Sequence, residues 1–240
     1  MIKIAIIGYG NLGYHLANVF SQNHQVSIFS KNPGEEHVNQ LEYFQPYSFD
    51  FAILTVSDDA IKELANSIKS SDSIILHTSG TRPLSDLENH KKRGVLYPLQ
   101  TFSKSKKVDF KKIQLLVEGT RETEEMILKL AKSVSQKVRI MNSLDRSKVH
   151  LAAVFACNFS NHMFHNAENI LKDIGLDFQD IRSLVEETVE KAMEINPSHA
   201  QTGPAIRNDM STLAKHQELI ENDLLRELYK IISKSIQTRQ

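Results

Sequence analysis

The feature that most constrains this chain is a glycine turn close to its start. Gly8-Tyr9-Gly10-Asn11-Leu12-Gly13 comes directly after the apolar run Lys3–Ile7 and opens a stretch, Leu12–Gln22, whose apolar residues recur at helical spacing. Gly8 permits a tight turn, Gly10 removes a side chain where a ligand's phosphates come close to the backbone, and Gly13 lets the helix lie against the strand. The free N–H groups at the start of that helix suit an anion. This spacing, between a strand and a helix, is that of the dinucleotide fingerprint. Gly8, Gly10, Asn11, Leu12 and Gly13 are therefore candidate cofactor-binding residues. The competing reading is a turn whose glycines serve packing alone.

The pattern continues in the same style as far as residue 142. Gln25–Phe29, Phe51–Val56, Ser73–His77, Gly94–Tyr97, Ile113–Glu118 and Val138–Met141 read as further strands, and Ala60–Ile68 and Arg121–Ser135 as further helices. Strands alternating with helices imply a parallel sheet covered on both faces, so the fold class is α/β, a doubly wound and mostly parallel Rossmann sheet. After Asn142 the strand signals stop. Leu144–Asp173 reads as a helix ending at Gly175, a second runs from Asp177 to Pro197, a third starts near Pro204 and a fourth after Asn222. Residues 1–142 are thus expected to form the dinucleotide-binding domain, and residues 143–240 a smaller all-helical domain for substrate binding or dimerisation. No Gly/Ser-rich linker separates them, which places the expected ligand between the two.

An NAD site usually carries an acid after its second strand, for the ribose hydroxyls. Here that strand runs into Ser30, Lys31 and Asn32, a hydroxyl, a cation and an amide that could hold a ribose 2'-phosphate, so NADP is expected over NAD. The bland alternative is a solvated loop lysine. Two more strands end in Thr55-Val56-Ser57-Asp58-Asp59 and His77-Thr78-Ser79-Gly80, on the edge where open α/β sheets bind ligands. Val56, Ser57, Ser79 and Gly80 join the cofactor candidates, while Asp58 and Asp59 read more simply as helix caps.

Charge narrows the partners. The 240 residues carry 29 Lys plus Arg against 29 Asp plus Glu, so no net field favours nucleic acid or an acidic membrane surface, and a small molecule is the expected partner. Cys157 is the single cysteine, which excludes an intramolecular disulfide and a thiolate metal cluster and suits a reducing cytoplasm. No apolar run reaches the length of a membrane span, and the start is too short in its apolar run for a secretory leader. No Asp, Glu and His set has metal-ligand spacing, His162 and His165 being too few.

Three polar stretches are candidate walls for a substrate. On one helix, His150, Asn158, Asn161, His162, His165 and Asn169 fall within an arc of about 120°, with Ala152, Ala156, Phe159, Met163, Phe164 and Ile170 opposite. Glu168 is the only charged residue between His150 and Asn169, and neutral hydrogen-bonding groups suit a half-buried pocket wall. A polar packing face or a homodimer contact through the helical domain is the alternative. Tyr97-Pro98-Leu99-Gln100-Thr101-Phe102-Ser103 displays Tyr97, Gln100 and Thr101 at the sheet edge. In Gln201-Thr202-Gly203-Pro204-Ala205-Ile206-Arg207-Asn208-Asp209, Thr202 and Arg207 are substrate candidates, Arg207 for a carboxylate unless it serves as an interdomain salt bridge.

The stretches GYGNLGYHLA, AILTVSDDAI, HTSGT, YPLQTFS, HLAAVFACNFSNHM and QTGPAIRND, spanning residues 8 to 209, resemble a family of Rossmann-like oxidoreductases with a helical C-terminal domain of formerly unknown function. That family is related to pyrroline-5-carboxylate reductase and to deazaflavin-dependent NADP reductases. The resemblance implies an NADP-binding oxidoreductase and supplies no mechanism. Related hydroxyacid dehydrogenases use a lysine followed by an asparagine on the first helix after the Rossmann domain; His150–Asn169 contains no lysine, so that pair is not carried over.

The expected activity is hydride transfer to or from a small carbonyl or imine compound. His150 or His162 is expected as proton donor or acceptor, Asn158 and Asn161 as substrate-orienting groups and Tyr97 as the reserve acid. The alternative is a non-catalytic NADP-binding sensor or assembly protein. A methyltransferase reading fails on the missing ribose-binding acid and on the glycine spacing.

Overall fold

Alternate residues of the first strand supply two separate cores. In the computed structural model, which describes residues 1–238, β1 (Lys3–Ile7) sends Ile4 and Ile6 to one face of a sheet and Ala5 and Ile7 to the other. The remaining strands are β2 (Gln25–Ser30), β3 (Val38–Gln40), β4 (Phe51–Leu54), β5 (Ile74–His77), β6 (Arg93–Pro98), β7 (Gln114–Gly119) and β8 (Lys137–Ile140). They lie in the order β3-β2-β1-β4-β5-β6-β7-β8. Helices α1 (Asn11–Phe20) and α3 (Glu124–Lys132) bury Leu16, Phe20, Ile127 and Leu130 against the Ile4 and Ile6 face. Helix α2 (Asp58–Ser67) buries Ile61 and Ala65 against the other face. Both faces are covered, which is why the strands read as continuous apolar runs.

The sheet is parallel except where β6 meets β7. The connection between those two, residues 99–113, carries no crossover helix and begins and ends at the same sheet edge, so the returning strand must run antiparallel. Strand β3 had no signal in the sequence: of its three residues only Val38 is buried, and it lies at the end of the sheet.

Beyond β8 the described residues are helical. Helix α4 (Ser143–Ala153) passes through a π-helical turn, Val154–Phe159, into α5 (Ser160–Lys172). Then come α6 (Arg182–Ile195), α7 (Pro197–Ala200), α8 (Met210–Leu219) and α9 (Asp223–Gln237). Asn142, Asp209 and Asn222 cap α4, α8 and α9 by accepting from Asp145, Thr212 and Leu225 N–H. The helix expected from Pro204 starts instead at Met210. Gly203 and Asn208 both have positive φ, and Asp209 N–H closes a turn onto Pro204 O, so no helical ladder forms before Asp209 caps one. The chain divides into two compact units, Met1–Asn161 and His162–Gln240. The last strand ends at Ile140, one residue short of the expected Met141, and the first unit runs on through α4 and the π-helical turn.

Arg146 fastens α4 to the sheet. Its side chain is 0% exposed. It pairs with Glu118 of β7, donates from Nε to Ser79 O at 3.2 Å, and donates to Arg82 O and to Ser143 Oγ.

These contacts can be tested at two positions. A Cβ on Gly13 would overlap Gly8 O and lie 2.7 Å from Thr55 Oγ1, whereas one on Gly10 would meet nothing within 4 Å. Gly13→Ala should therefore cost about 1–3 kcal/mol in urea unfolding, and Gly10→Ala should leave the midpoint almost unchanged; equal effects would refute the close approach. The second position is His77, which burial, then the Arg146 charge, pushes down from 6.5 to about 4. The folded state thus holds fewer protons than the unfolded one between those values. The stability from a neutral His77 is complete above pH 6.5 and is lost as pH falls towards 4, by about 3 kcal/mol in all. His77→Gln should flatten that part of the pH profile of unfolding free energy, and an unchanged slope would contradict it.

Candidate functional site

Two of the three glycines in the turn are explained by the chain itself. Gly8 has φ +104°, and a Cβ there would come within 2.6 Å of Thr55 O. Its N–H donates to Phe29 O at 2.8 Å, and Thr55 Oγ1 donates to Gly8 O at 2.8 Å, so β1, β2 and β4 converge on this residue. Gly13 needs its hydrogen to let α1 reach Gly8. Gly10 differs: it precedes α1 without a side-chain cap, is exposed, and faces open space. The first α1 bond in this region is Tyr14 N–H to Gly10 O, which leaves the N–H groups of Asn11, Leu12 and Gly13 as the helix's free amino-terminal donors.

At the end of β2, Ser30 Oγ accepts from Asn32 N–H at 3.2 Å, and Lys31 is exposed beside them. Tertiary folding adds groups that the sequence did not place here. His37 Nε2 and Tyr9 Oη lie 2.9 Å apart. Glu35 pairs with His37 at 3.5 Å when that imidazole is protonated, and with Lys104 at 3.7 Å. The Lys104 ammonium sits 4.4 Å from the centre of the Tyr9 ring. Past β4, Val56 is half-buried and Ser57 exposed, and the amino end of α2 has no side-chain cap.

A second cluster forms at the ends of β5 and β6. Tyr97 Oη lies 3.0 Å from His150 Nδ1, and both residues are half-buried. The imidazole occupies the space a side chain on Gly80 would need, since a Cβ there would lie 2.6 Å from Nδ1. This explains Gly80 without a ligand. Ser79 is buried, donates to Asp58 Oδ2 at 2.8 Å, and accepts from Thr81 and Arg82 N–H at 3.1 and 3.0 Å. Asp58 also accepts from Thr81 Oγ1 at 2.8 Å, so its carboxylate ties two strand-end loops together rather than capping α2. Burial, and then the Asp58 charge, raise the Tyr97 phenol above its ordinary value, with Arg146 opposing. The Tyr97 hydroxyl is accordingly a proton-bearing donor at neutral pH.

The remaining candidates lie on other segments of the chain. Helix α4 carries His150, while Asn161, His162, His165 and Asn169 lie on α5, beyond the π-helical turn. An i→i+5 turn takes up an extra residue and rotates the succeeding helical residues by about 100°, so the angles drawn on one uniform helix shift beyond it. Asn158, Asn161 and His162 are exposed, as are His165 and Asn169, which bond to each other at 3.2 Å. Gln100 and Thr101 are exposed and bonded together, Gln100 Oε1 accepting from Thr101 N–H at 2.8 Å. Thr202 and Arg207 are exposed on the turns before α8. A groove of about 520 Å³ lies elsewhere, lined among others by Lys31, Leu41, Phe44 and Leu64.

Sequence reasoning missed Arg146, Glu118, Glu35, His37 and Lys104. The one available signal was Arg146 standing a helical turn before His150; the others come from loops or a strand end whose destinations no local pattern encodes.

The chain is similar to several known proteins. The family described as Domain of unknown function (DUF2520) matches residues 113–236. A Bacteroides fragilis structure named as a candidate NADP oxidoreductase is 33% identical, with TM-score 0.89 over 99% of this chain and 98% of that one. A Thermotoga maritima protein is 21% identical, with TM-score 0.74 over 98% of this chain and 97% of that one. At the level of fold alone, a reductive aminase from Aspergillus terreus, in complex with NADPH and ethyl levulinate, is 15% identical, with TM-score 0.63 over 90% of this chain and 77% of that one. No curated protein matches. The chain belongs to the DUF2520 family, on a Rossmann-like fold with a helical carboxyl-terminal part.

Proposed function

We propose that this protein is an NADP-dependent oxidoreductase that moves a hydride between the nicotinamide and the carbonyl or imine carbon of a small molecule, with Tyr97 and His150 handling the proton. The observation that carries this reading is the 3.0 Å contact between Tyr97 Oη and His150 Nδ1 at the sheet edge where open α/β folds bind ligands. The chain's own residues fit the cofactor. Gly10 has no steric reason within the chain to be glycine, the amino end of α1 is uncapped, and Ser30, Lys31 and Asn32 offer a hydroxyl, a cation and an amide. The similarity to the Bacteroides fragilis protein points the same way.

When bound, the nicotinamide supplies or takes the hydride. Tyr97 donates its proton to the substrate oxygen or nitrogen in the reducing direction, and His150, as the imidazolium formed with a proton from solvent, returns one from Nδ1 to the phenolate. Asp58 and Ser79 hold the two loops in place, and Gly80 gives the imidazole its room. We assign Gln100, Thr101, Asn161, Thr202 and Arg207 to the substrate, Arg207 through a carboxylate, and Asn158 and His162 to supporting roles beside it. A homodimer through the helical part is supported by the exposed apolar residues Leu184, Met193, Leu224 and Ile231, which are 65%, 83%, 80% and 64% exposed. The cytoplasm is the compartment this reading favours, given the single cysteine; no described helix is long and apolar enough to cross a membrane.

Calorimetry at low salt should find NADPH bound roughly ten- to a hundredfold more tightly than NADH, and Ser30→Asp with Lys31→Ala should invert the preference. Equal affinities in the unaltered protein would overturn the NADP assignment. Tyr97→Phe and His150→Ala should each lower turnover of a panel of small ketones and cyclic imines by roughly 10²- to 10⁴-fold with NADPH affinity unchanged. Undiminished turnover in both would remove the pair from the reaction.

A further inference from the structure

We infer that Lys104 is the cation that meets the cofactor's pyrophosphate, and that Glu35 is the carboxylate competing for it. The inference rests on the NADP reading above and adds a residue from a part of the chain to which no fingerprint extends.

Lys104 belongs to the long connection between β6 and β7, which returns along α1. Two bonds and a ring contact pin it there. His15, only 6% exposed, bonds through Nε2 to Ser103 O at 2.8 Å, and Lys104 N–H donates to Asn11 Oδ1 at 3.3 Å. The Phe102 ring lies 5.3 Å from the His15 ring and stacks on Phe110. The ammonium is thereby set 4.4 Å from the centre of the Tyr9 ring and 5.6 Å from that of Tyr14. Tyr9 stands between Gly8 and Gly10, and Tyr14 is the residue whose N–H bonds Gly10 O. The ammonium therefore lies against side chains presented by the glycine turn and by the first turn of α1.

The amino end of a helix is already positive, and a cation beside it adds repulsion. The compensation is slight: Glu35 reaches Lys104 only at 3.7 Å, with both side chains nearly half exposed. A pyrophosphate, carrying two negative charges, satisfies the helix donors and the ammonium together. The Tyr9 and Tyr14 rings steady the cation without neutralising it. Glu35 adds a negative charge beside the same ammonium and so opposes the phosphate.

Because every dinucleotide of this type has the pyrophosphate but only NADP has the 2'-phosphate, Lys104 must act on NADPH and NADH alike. Lys31 must act on NADPH alone. Calorimetric titration of the full chain with NADPH and with NADH separates the two. Lys104→Met keeps the aliphatic contact with the rings and should weaken both ligands by the same factor, roughly five- to thirtyfold, with the NADPH preference intact. Lys104→Arg should retain most of the affinity. Glu35→Gln should tighten both ligands, an opposite sign that a merely destabilised variant would not give, and added salt should diminish both effects. Unchanged affinities in Lys104→Met would overturn the inference, as would a loss confined to NADPH, which would put the lysine on the 2'-phosphate. Failure of the unaltered protein to bind either dinucleotide would instead remove the NADP reading on which the inference stands.

Discussion

A guanidinium without access to water must find its partners inside the protein, and the way Arg146 does so decides how the sheet and its first succeeding helix meet. Its acceptors come from the far end of β7, from the loop after β5 and from α4 itself. Removing one member of such a buried charged set costs about 3–5 kcal/mol, because the survivor is left unpaired in a low-dielectric surrounding. Helix α4 consequently has one rotation and one height available. One turn further along, that geometry sets His150 against Gly80 and within hydrogen-bonding distance of Tyr97.

The same fixation explains the electrostatic character of the site. Arg146 is paired with Glu118, and Arg82 with Asp86 at 2.6 Å. Asp58 is different: its carboxylate is met by the hydroxyls of Ser79 and Thr81. Burial, and after it the Asp58 charge, raise the Tyr97 phenol above its ordinary value, with Arg146 opposing. A hydroxyl held in its donor form beside an imidazole is a proton-transfer pair assembled from β6 and α4. It needs no lysine on the helix, which accords with the absence of one between His150 and Asn169.

At the other end of the sheet edge, three glycines that look equivalent in the sequence serve two purposes. Gly8 and Gly13 are required by backbone conformation and by the approach of α1 to β1 and Thr55. Gly10 alone has open space where its side chain would stand. Only that residue, together with the uncapped helix, argues for a ligand. Lys104 and Glu35 then arrive from two distant loops and give the opening its charge balance.

The amino-acid sequence by itself determined the doubly wound sheet, since alternating apolar runs and helical periodicity are local signals and both cores arise from them. It determined the glycine turn and the caps at Asn142 and Asn222 for the same reason: each depends on residues within one turn of the chain. It placed Tyr97 and His150 among the candidates by residue type, but gave no sign that they touch. Tertiary structure decided that, through a salt bridge between residues 118 and 146 and the room left by Gly80. It also decided the antiparallel β7, the π-helical turn between α4 and α5, and the meeting of Tyr9, Glu35, His37 and Lys104. None of these has a period or a spacing in the sequence. They depend on where long connections return and on which buried charges must find each other, and those are properties of the assembled fold.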